Sequence, residues 1–478
     1  MKNVGGKTLV ALFLILISKA VVYGQTTLNF PLLISPSNAS YVGLALVNPG
    51  TVVALATFTS YAANGQPVNS SAQVVPARGQ ISKLMSQLFP DNQVATWVRV
   101  TSSTSDLQGF MAFGDFVGTV GGIGPPVSAT DQILPFVSDT FDFHAVNPNN
   151  FPITLAIRFY SAEGFAVGQP INQAIPANGA YRATLLDLPR GVGASYASAR
   201  YAKVASTGNF ATTNIVSNFL HALVGKDWGF VNGVDDAEEI TVAATTLNFP
   251  HVVTGQVGTA SYTTILGITN LLGGNQAIGI TFRQQDGTVT TVQRTLPGNG
   301  ALRQSIDELF PGSGYRDGWV QVTGPSGLTG FAAFVESNQG GMEVVAPQTT
   351  GTGSANLIFG HIADLAPWST GVALLNAGTT AANVQVFALN PDGTLIGGAP
   401  SVPTATFTVP AQTKVAKLLQ EWIPQTQTRS SDGGFIYIRV TNNVPLYGLE
   451  LFFLRSGVAF ANVPASVVGP ATYSPPLP

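Results

Sequence analysis

The feature that most constrains this 478-residue chain is a pattern that occurs four times along it. In each copy an apolar stretch ends at an asparagine, and a second turn begins sixteen residues after that asparagine. The anchor asparagines are Asn48, Asn147, Asn270 and Asn376, and the second turns are Asn64-Gly65, Glu163-Gly164, Asp286-Gly287 and Asp392-Gly393. Identical spacing in four copies predicts four units of one fold rather than a single large domain.

The residues on both sides of each second turn have the pattern of β-strands. Residues 53–58 and 383–387 are apolar or alternate between apolar and polar side chains over the length of a strand. Asn-Gly and Asp-Gly are the pairs that best tolerate positive φ at both central positions of a two-residue turn. We therefore expect a type I′ hairpin at each second turn.

One short helix is expected in each copy, after a loop that contains proline. Apolar residues at 81, 84, 85, 88 and 89 lie at helical spacing, and residues 415–423 repeat the arrangement. A proline follows each of these stretches, and the residue before a proline is disfavoured in the helical conformation. The helices are therefore predicted to end at Pro90, Pro189, Pro311 and Pro424.

These elements predict a mainly β chain of four tandem β-sandwich modules, each with one short helix. The predicted modules span residues 25–128, 129–243, 244–354 and 355–470, and a Pro-rich tail covers 471–478. The second module is longer because of an insertion at its C-terminal end, at about residues 219–244. Modules joined in tandem are expected to form an extended rod.

The order of strand, Asn-Pro-Gly turn, strand, Asp-Gly turn and strand resembles the immunoglobulin-like repeats of secreted and cell-surface bacterial proteins. The cell-adhesion-related domain found in bacteria is one such family. The resemblance covers residues 28–75 and their equivalents in the other copies. It implies an immunoglobulin-like sandwich and a role in adhesion at the cell surface.

The N-terminal residues have the three parts of a secretory signal peptide. Lys2 and Lys7 precede an apolar run at 8–17, and Val22-Tyr23-Gly24 provides a cleavage site, so the signal peptide is predicted at 1–24. The run is shorter than the ~20 residues that span a bilayer. We expect the mature chain to be secreted or at the cell surface, without a membrane span. Cysteine is absent from the sequence, so disulfides and thiol catalysis are excluded.

The charge content of the chain restricts its partners. Only 9% of the residues are charged, against about 25% in an ordinary soluble domain. The 21 lysines and arginines and the net charge of −3 provide no basic surface for nucleic acid. The expected partners are cell-surface or matrix components, either polysaccharide or protein.

Four residues are candidates for ligand binding. His251 and His361 occupy equivalent positions in the third and fourth copies, which fits either a shared binding role or a structural histidine at a strand end. Trp228 and Trp368 are the tryptophans expected to be most exposed, and exposed aromatic rings could form a carbohydrate-binding platform. Trp97 and Trp319 recur at one strand position, which indicates core packing first.

An acidic run in the predicted insertion is the candidate for a bound calcium ion, because calcium prefers oxygen ligands. The run contains Asp235, Asp236, Glu238 and Glu239, and Asp139 with Asp142 is a second candidate. Neither group has the alternating spacing of a known calcium loop. The alternative is that the run is a solvated linker. No other cofactor and no catalytic residue is predicted.

Three functions agree with these patterns. The first is an exported, non-enzymatic structural or adhesion-type protein made of tandem sandwich repeats. The second is an array of carbohydrate-binding modules. The third is an extracellular hydrolase whose site lies in the second copy and its insertion.

Overall fold

The structure is a computed structural model that describes residues 26–91, 93–138, 140–184, 198–207, 214–221, 227, 229–232, 234–235, 244–397 and 405–468. The predicted signal peptide and Pro-rich tail lie outside these residues. The described chain is mainly β, with antiparallel pairing throughout its sheets. Within that part of the chain, every helix is too short or too polar to cross a membrane. We refer to the four predicted modules as segments one to four.

The first segment forms two four-stranded sheets. Its strands are β1 (Thr26–Ile34), β2 (Val42–Asn48), β3 (Ala54–Ala62), β4 (Pro67–Val75), β5 (Gly79–Leu84), β6 (Thr96–Ser102), β7 (Gln108–Phe113) and β8 (Gly121–Ile123), with helix α1 (Met85–Leu88) and a 3-10 helix at Pro36–Tyr41. One sheet has the order β1-β6-β3-β4 and the other β5-β2-β7-β8. Apolar side chains of both sheets form one core cluster.

The second segment repeats this arrangement. Its strands are β9 (Asp131–Leu134), β10 (Phe141–Val146), β11 (Ile153–Ser161), β12 (Ala166–Ile175), β13 (Ala180–Thr184), β14 (Ala199–Thr207), β15 (Val216–His221), β16 (Gly229–Asn232) and β17 (Val234–Asp235). The sheets are β12-β11-β14-β9-β17 and β13-β10-β15-β16. Within the predicted insertion, residues 219–221, 229–232 and 234–235 therefore belong to strands of this segment's own sheets.

In the third segment the two sheets are joined through one long strand. The strands are β18 (Ala244–Val257), β19 (Ala260–Asn270), β20 (Gln276–Gln284), β21 (Val289–Leu296), β22 (Ala301–Ser305), β23 (Arg316–Pro325), β24 (Leu328–Glu336), β25 (Met342–Val345) and β26 (Gln348–Thr349), with helix α2 (Ile306–Leu309). The order is β21-β20-β23-β18-β19-β24-β25, with β22 beside β19 and β26 beside β18.

In the fourth segment the last strand joins the sheets. The strands are β27 (Asn356–Phe359), β28 (Trp368–Asn376), β29 (Ala382–Leu389), β30 (Ala405–Val409), β31 (Thr413–Leu418), β32 (Phe435–Val440), β33 (Tyr447–Leu454) and β34 (Phe460–Val467), with helix α3 (Leu419–Trp422) and a 3-10 helix at Pro424–Thr428. The order is β30-β29-β32-β27-β34-β33-β28-β31.

One strand order recurs in all four segments. If the first eight strands of each segment are numbered along the chain, one set pairs in the order 4-3-6-1 and the other in the order 5-2-7-8. The internal repeat in the sequence thus corresponds to a repeated pairing pattern. The finer description, four tandem immunoglobulin-like modules with the predicted boundaries, stays a prediction.

The predicted helices are much shorter than their sequence pattern suggested. Residues 81–84 continue strand β5 against β2, and residues 415–418 continue β31 against β28. Because sheet pairing already satisfies the backbone there, only four residues of each stretch, Met85–Leu88 and Leu419–Trp422, form a helical turn. In α2 the Ser305 hydroxyl accepts a hydrogen bond from Glu308 N at 3.2 Å, which caps the turn. The helix expected before Pro189 lies outside the described residues.

The second turns are not type I′ hairpins, so that prediction is wrong. Positive φ occurs only at the glycine of each pair, with values of 84° at Gly65, 87° at Gly164, 91° at Gly287 and 85° at Gly393. In the first copy Gly65 N donates to Ala62 O at 2.8 Å, and Ala62 N donates to Gln66 O at 2.9 Å. This is a three-residue loop that ends in a left-handed glycine. The residue before this glycine needs no positive φ, which explains why a glutamate is tolerated at 163.

The anchor asparagines hold the loops that follow the second strand of each segment. All four are fully buried. In each, Oδ1 accepts a hydrogen bond from the backbone N two residues later, at 3.0 Å. Nδ2 donates to the carbonyl four residues later, at 2.7–2.8 Å. A side chain that both accepts and donates at short range is required here, which explains the recurrence of asparagine.

Each segment packs against the next through one fully buried aromatic side chain at the start of its sixth strand. Trp97 packs on Val146, Tyr201 on Leu271, Trp319 on Leu375 and Phe435 on Val47, in four separate apolar clusters. The last of these pairs joins the fourth segment to the first. Gln80 of the first segment also accepts a hydrogen bond from Gly434 N at 2.6 Å. The segments therefore close into a ring, and the expected extended rod is wrong.

Two buried carboxylates lie where the eighth strands of the segments meet. Asp227 accepts hydrogen bonds from the backbone N of Val120, Met342 and Phe460 at 2.9–3.1 Å. Glu343 accepts from the backbone N of Gly122 and Asn462, both at 3.0 Å. Burial raises the pKa of Glu343 well above its ordinary value, and the charge of Asp227 adds to this rise while the N–H donors oppose it. Carboxyl groups thus satisfy strand-edge N–H donors contributed by the first, third and fourth segments.

Candidate ligand cavities at the segment interfaces

In each segment, one residue near the end of the first strand, or at the irregular pairing within β18, lies beside the next segment, and we call it the strand-end residue. It lies two residues after a residue of the first strand that pairs with the sixth strand. These paired residues are Phe30, Leu134, Phe249 and Phe359. The side chains at this strand-end position are Leu32, Phe136, His251 and His361. The sequence-based equivalence of His251 and His361 is therefore confirmed by strand register, and the second copy contributes a phenylalanine.

Phe136, His251 and His361 contact residues of the next segment, whereas Leu32 packs in the core of its own segment and its neighbour Leu33 contacts His144. Beside each strand-end position lies a cross-strand pair on the second and fifth strands of the next segment. These pairs are His144 with Arg182, Gly267 with Arg303, Ala373 with Ala416, and Ala45 with Ser82. We call the four places slot 1–2, slot 2–3, slot 3–4 and slot 4–1, after the segments that they join. Two slots contain large facing side chains and two contain small ones, so the slots differ in how far they are filled.

Slot 1–2 is filled by a network of polar side chains. Leu33 N donates to His144 Nδ1 at 3.0 Å, and His144 Nε2 lies 3.2 Å from Asp142 Oδ1. Arg182 donates two hydrogen bonds to Asp142, at 2.8 and 2.6 Å. Burial raises the pKa of Asp142, but hydrogen bonds from His144 and Arg182 outweigh it and lower the pKa to about 2. The Asp142 carboxylate is therefore already bound by His144 and Arg182.

Asp139, which was paired with Asp142 in the second calcium prediction, lies outside the described residues.

Slot 2–3 is filled by stacked rings. Phe136 lies against Phe331 of the third segment, with ring centroids 4.4 Å apart. The Arg303 guanidinium lies 5.9 Å from the centroid of Phe136 and donates to Val137 O at 3.1 Å. The Phe331 ring covers Gly267 so closely that a Cβ there would lie 1.9 Å from it. Glycine at 267 is what allows the ring to occupy this slot.

Slot 3–4 contains a cavity of about 460 Å³. Its walls are mostly apolar, and its facing residues Ala373 and Ala416 leave the space open. At its polar end, the Lys414 ammonium contacts both Asp317 and the Nδ1 atom of His251. The Nδ1 atom of His251 lies 3.6 Å from Asp317 Oδ1. These two groups do not form an ion pair, because the imidazole is neutral.

The charge states at this polar end follow from burial. Burial lowers the pKa of Lys414 to about 8, although the Asp317 carboxylate raises it. Burial and the Lys414 charge together lower the pKa of His251 well below its ordinary value. The imidazole is therefore neutral at pH 7. Because its Nδ1 accepts from the ammonium, its proton is on Nε2.

Slot 4–1 contains a smaller cavity of about 260 Å³. His361 stacks on Phe110 of the first segment at 5.9 Å and meets Phe452 at 5.6 Å. Trp368 also packs on Phe452, at 5.5 Å, so two of the sequence candidates are brought together here. Burial lowers the pKa of His361 to about 4, with Asp432 opposing and Arg429 adding to the shift.

The remaining sequence candidates are not assembled into a site. Trp228, Asp236, Glu238 and Glu239 lie outside the described residues, and Asp235 ends β17 with a side chain that is not described. In the described part of the chain, His, Asp and Glu side chains form no group of three that could hold a metal ion. The calcium prediction at 235–239 stays a prediction.

Sequence reasoning missed most of the residues that shape the slots. Phe136 could have been found, because Leu134-Pro135-Phe136 parallels Phe249-Pro250-His251. Lys414 and Asp317 could not, because they come from different segments and only the ring brings them together. Trp97 and Trp319 are buried as expected, but at segment interfaces rather than within one sandwich core.

A buried glutamate lies behind the wall of the larger cavity. Leu449 and Leu451 on β33 line the cavity, and Glu450 between them is fully buried. Neither of its carboxyl oxygens has a hydrogen-bond partner in the described part of the chain. Burial raises the pKa of Glu450 well above its ordinary value, and the Asp364 charge adds to the rise. Burial thus favours the neutral, protonated form of this side chain.

No family model and no curated protein matches this sequence. A solved structure described as Thermotoga maritima 1070 is similar over 22% of this chain and 94% of that chain, with 16% identity and a TM-score of 0.19. A tetra-tandem repeat in the extending region of a large adhesion protein is similar over 93% of this chain and 99% of that chain, with 13% identity and a TM-score of 0.10. Both similarities are weak. The strand pairing alone defines the fold given above.

Proposed function

We propose that this chain is an exported, non-enzymatic structural or adhesion-type protein whose four immunoglobulin-like sandwich segments act as one rigid body. The observation that carries the proposal is the closed cycle of contacts, with a fully buried aromatic side chain at each of the four interfaces. Truncating a buried Phe or Trp costs about 3–5 kcal/mol. Four such contacts in a cycle would hold the segments in fixed positions.

The neutral surface supports contact with uncharged partners. With 9% charged residues, the chain is suited to polysaccharide or to weakly charged matrix protein, and export is proposed from the signal peptide pattern at 1–24. An open edge of a sheet can pair with an incoming strand. In the first segment, β4 is such an edge strand, and alternate residues along it are exposed.

The structural proposal is favoured over the two alternatives by where the aromatic and histidine side chains lie. A carbohydrate platform needs exposed rings that lie together. Trp97 and Trp319 are buried, and Trp368 and Trp422 are half-buried against phenylalanines. The exposed rings of Tyr41, Phe165 and Tyr315 belong to three different segments. A hydrolase in the second segment would need an accessible base. His144 is 1% exposed and is already engaged by Leu33.

Calorimetry of the mature chain, residues 25–478, tests the rigid body. We expect one cooperative unfolding transition, because the segments share their interfaces. A double variant, Trp97→Ala with Trp319→Ala, should separate it into several transitions. Trp422→Ala is the matched control, since Trp422 stacks on Phe407 within one segment, and it should lower the transition temperature without splitting the transition. Four separate transitions in the unmodified chain would contradict the proposal.

The proposed role in adhesion is tested by a separate measurement. Beads coated with the mature chain are passed over cellulose, chitin and collagen surfaces, and retention is compared with beads coated with an unrelated protein. Retention on at least one surface is expected for an adhesion-type protein. Equal retention of both kinds of bead on all three surfaces would leave only the structural role.

A further inference from the structure

We propose that slot 3–4 is a binding site for a small, uncharged, ring-bearing molecule that carries a hydrogen-bond acceptor, and that the ring of this molecule stacks on His251. The site goes beyond the proposed function and does not depend on it. Its volume, about 460 Å³, falls within the ~300–1,000 Å³ typical of ligand pockets. The cavity in slot 4–1, about 260 Å³, falls below that range.

The protein itself shows what such a slot can hold. In slot 2–3 the ring of Phe331 stacks on the strand-end residue Phe136. Phe331 pairs across the strands with Gly267, and Leu449 has the same relation to Ala373. Leu449 therefore stands where Phe331 supplies a ring, and His251 stands where Phe136 receives it. Slot 3–4 thus lacks the ring that the next segment supplies in its counterpart, and His251 keeps only the Phe334 ring of its own segment, which stacks on it at 5.9 Å.

The same comparison explains why the two cavities differ in size. In slot 4–1 the residue equivalent to Leu449 is Phe110, which pairs with Ala45. The ring of Phe110 stacks on His361 at 5.9 Å, with an interplanar angle of 21°. Slot 4–1 thus keeps the internal ring beside its histidine. Slot 3–4 combines small facing residues with loss of the ring, and this combination leaves room for a ligand.

The walls of the cavity define the chemistry of the occupant. The third segment contributes Val253, Tyr262 and Phe334, and the fourth contributes Leu451, Phe453 and Phe460. A pocket that is mostly apolar and aromatic, with a few convergent polar groups, is the usual form of a small-molecule site. The large apolar wall on both sides selects a flat hydrocarbon ring system.

The charges around the cavity cancel, which selects an uncharged molecule. Lys414 is paired with Asp317 at the polar end, and exposed Lys417 and Glu421 lie at the rim. An ionised ligand would be desolvated in the apolar pocket without an opposite charge left to pair with it. The neutral imidazole of His251 carries its proton on Nε2, which can donate to an acceptor such as a carbonyl oxygen.

The test uses 6-propionyl-2-dimethylaminonaphthalene, an uncharged naphthalene ketone whose emission shifts to the blue in apolar surroundings. Titration of the mature chain should show one saturable site, and 2-acetylnaphthalene should compete for it. Leu449→Phe restores the ring found at Phe331 and Phe110, and it should weaken binding at least tenfold. Phe110→Leu is the reciprocal variant, and it should raise the stoichiometry from one site to two.

Each outcome decides the proposal. Unchanged affinity in Leu449→Phe would overturn it, provided that the variant keeps the unfolding temperature of the parent. If Leu449→Phe does not fold, Ala373→Leu, which adds bulk on the opposite strand, takes its place with the same expectation. Tighter binding of 2-naphthoate than of 2-acetylnaphthalene would overturn the uncharged class. A stoichiometry that stays at one in Phe110→Leu would contradict the assigned ring position.

The proposed hydrogen bond from His251 to the acceptor of the ligand is tested by changing His251 alone. His251→Phe keeps a ring for stacking and removes the Nε2 donor. Affinity for 2-acetylnaphthalene should fall about tenfold, and affinity for naphthalene, which has no acceptor, should stay the same. An equal fall for both molecules would show that His251 supports the fold of the pocket and does not donate to the ligand.

Discussion

Slot 2–3 and slot 3–4 are built from the same backbone positions and end up with opposite interiors. In slot 2–3, Phe136, Phe331 and Arg303 fill the space between the second and third segments. In slot 3–4, His251, Leu449 and Ala416 occupy the equivalent positions, and a cavity of about 460 Å³ results. The repeated strand order fixes where the slots lie, and three side chains per slot decide whether a slot joins two segments tightly or leaves a space.

The largest difference between the two slots should be seen in stability. Phe136→Ala removes a fully buried ring that stacks on Phe331, and we expect a loss of about 3–5 kcal/mol in the free energy of unfolding. His251→Ala is the matched change in slot 3–4. Its ring is only half-buried beside a cavity, so the loss should be about 1 kcal/mol. Urea denaturation at pH 7 measures both, and equal losses would show that the slots are equally packed.

The strand behind the larger cavity offers a second comparison. Glu450 has the same cross-strand relation to Val372 that Met111 has to Leu44 in the first segment. Glu450→Met should therefore fit, and it removes a buried carboxyl group without a described partner. We expect a gain of about 1–3 kcal/mol at pH 7.

The pH dependence of this gain identifies its cause. The pKa of Glu450 is raised in the folded chain, so its contribution to stability is fully present below about pH 4.5 and is lost as pH rises. The advantage of Glu450→Met should accordingly be small at pH 4 and larger at pH 7. A gain that is the same at both pH values would assign it to packing instead of ionisation. Met111→Leu, a volume-conserving change at the equivalent position, is the control and should show no such pH dependence.

The sequence predicted the β-rich class and the fourfold repeat because both depend on local patterns. Hairpin glycines, apolar alternation and the anchor asparagines act within about thirty residues, as the hydrogen bonds of Asn48 to Val52 and Val75 show. The predicted helix at 81–89 failed because its apolar spacing also suits a strand followed by one turn. Periodicity alone cannot separate these cases over so few residues.

The ring and its slots were beyond sequence reasoning for a different reason. Trp97 and Trp319 carry the pattern of core residues, and no local signal distinguishes a core within one sandwich from an interface between two. The contact between Phe435 and Val47 joins residues almost 400 positions apart. Of the strand-end residues, His251 and His361 were identified as candidates in advance because their repeat positions match. The residues that face them depend on closure of the ring.

The smallest expected effect separates the two slots that contain a strand-end histidine from the two that do not. The pKa of His361 is lowered to about 4 in the folded chain, whereas an unfolded histidine titrates near 6.5. The unfolded chain therefore binds more protons in this window, and stability is lost as pH falls from about 6.5 towards 4. Leu32 and Phe136 at the same position cannot titrate. His361→Phe should thus remove part of the acid sensitivity.

The measurement is the difference in unfolding free energy between pH 7.5 and pH 5. We expect this difference to shrink by about 1–2 kcal/mol in His361→Phe, since the shift is set by burial against Phe110 and Phe452, with Asp432 and Arg429 nearby. Leu32→Phe is the control, because it places the same side chain at the strand-end position of the first segment, which packs in that segment's core and has no histidine, and its difference should equal that of the parent. If His361→Phe also keeps the full difference, the acid sensitivity comes from elsewhere, and His361 and Phe136 act alike as packing groups.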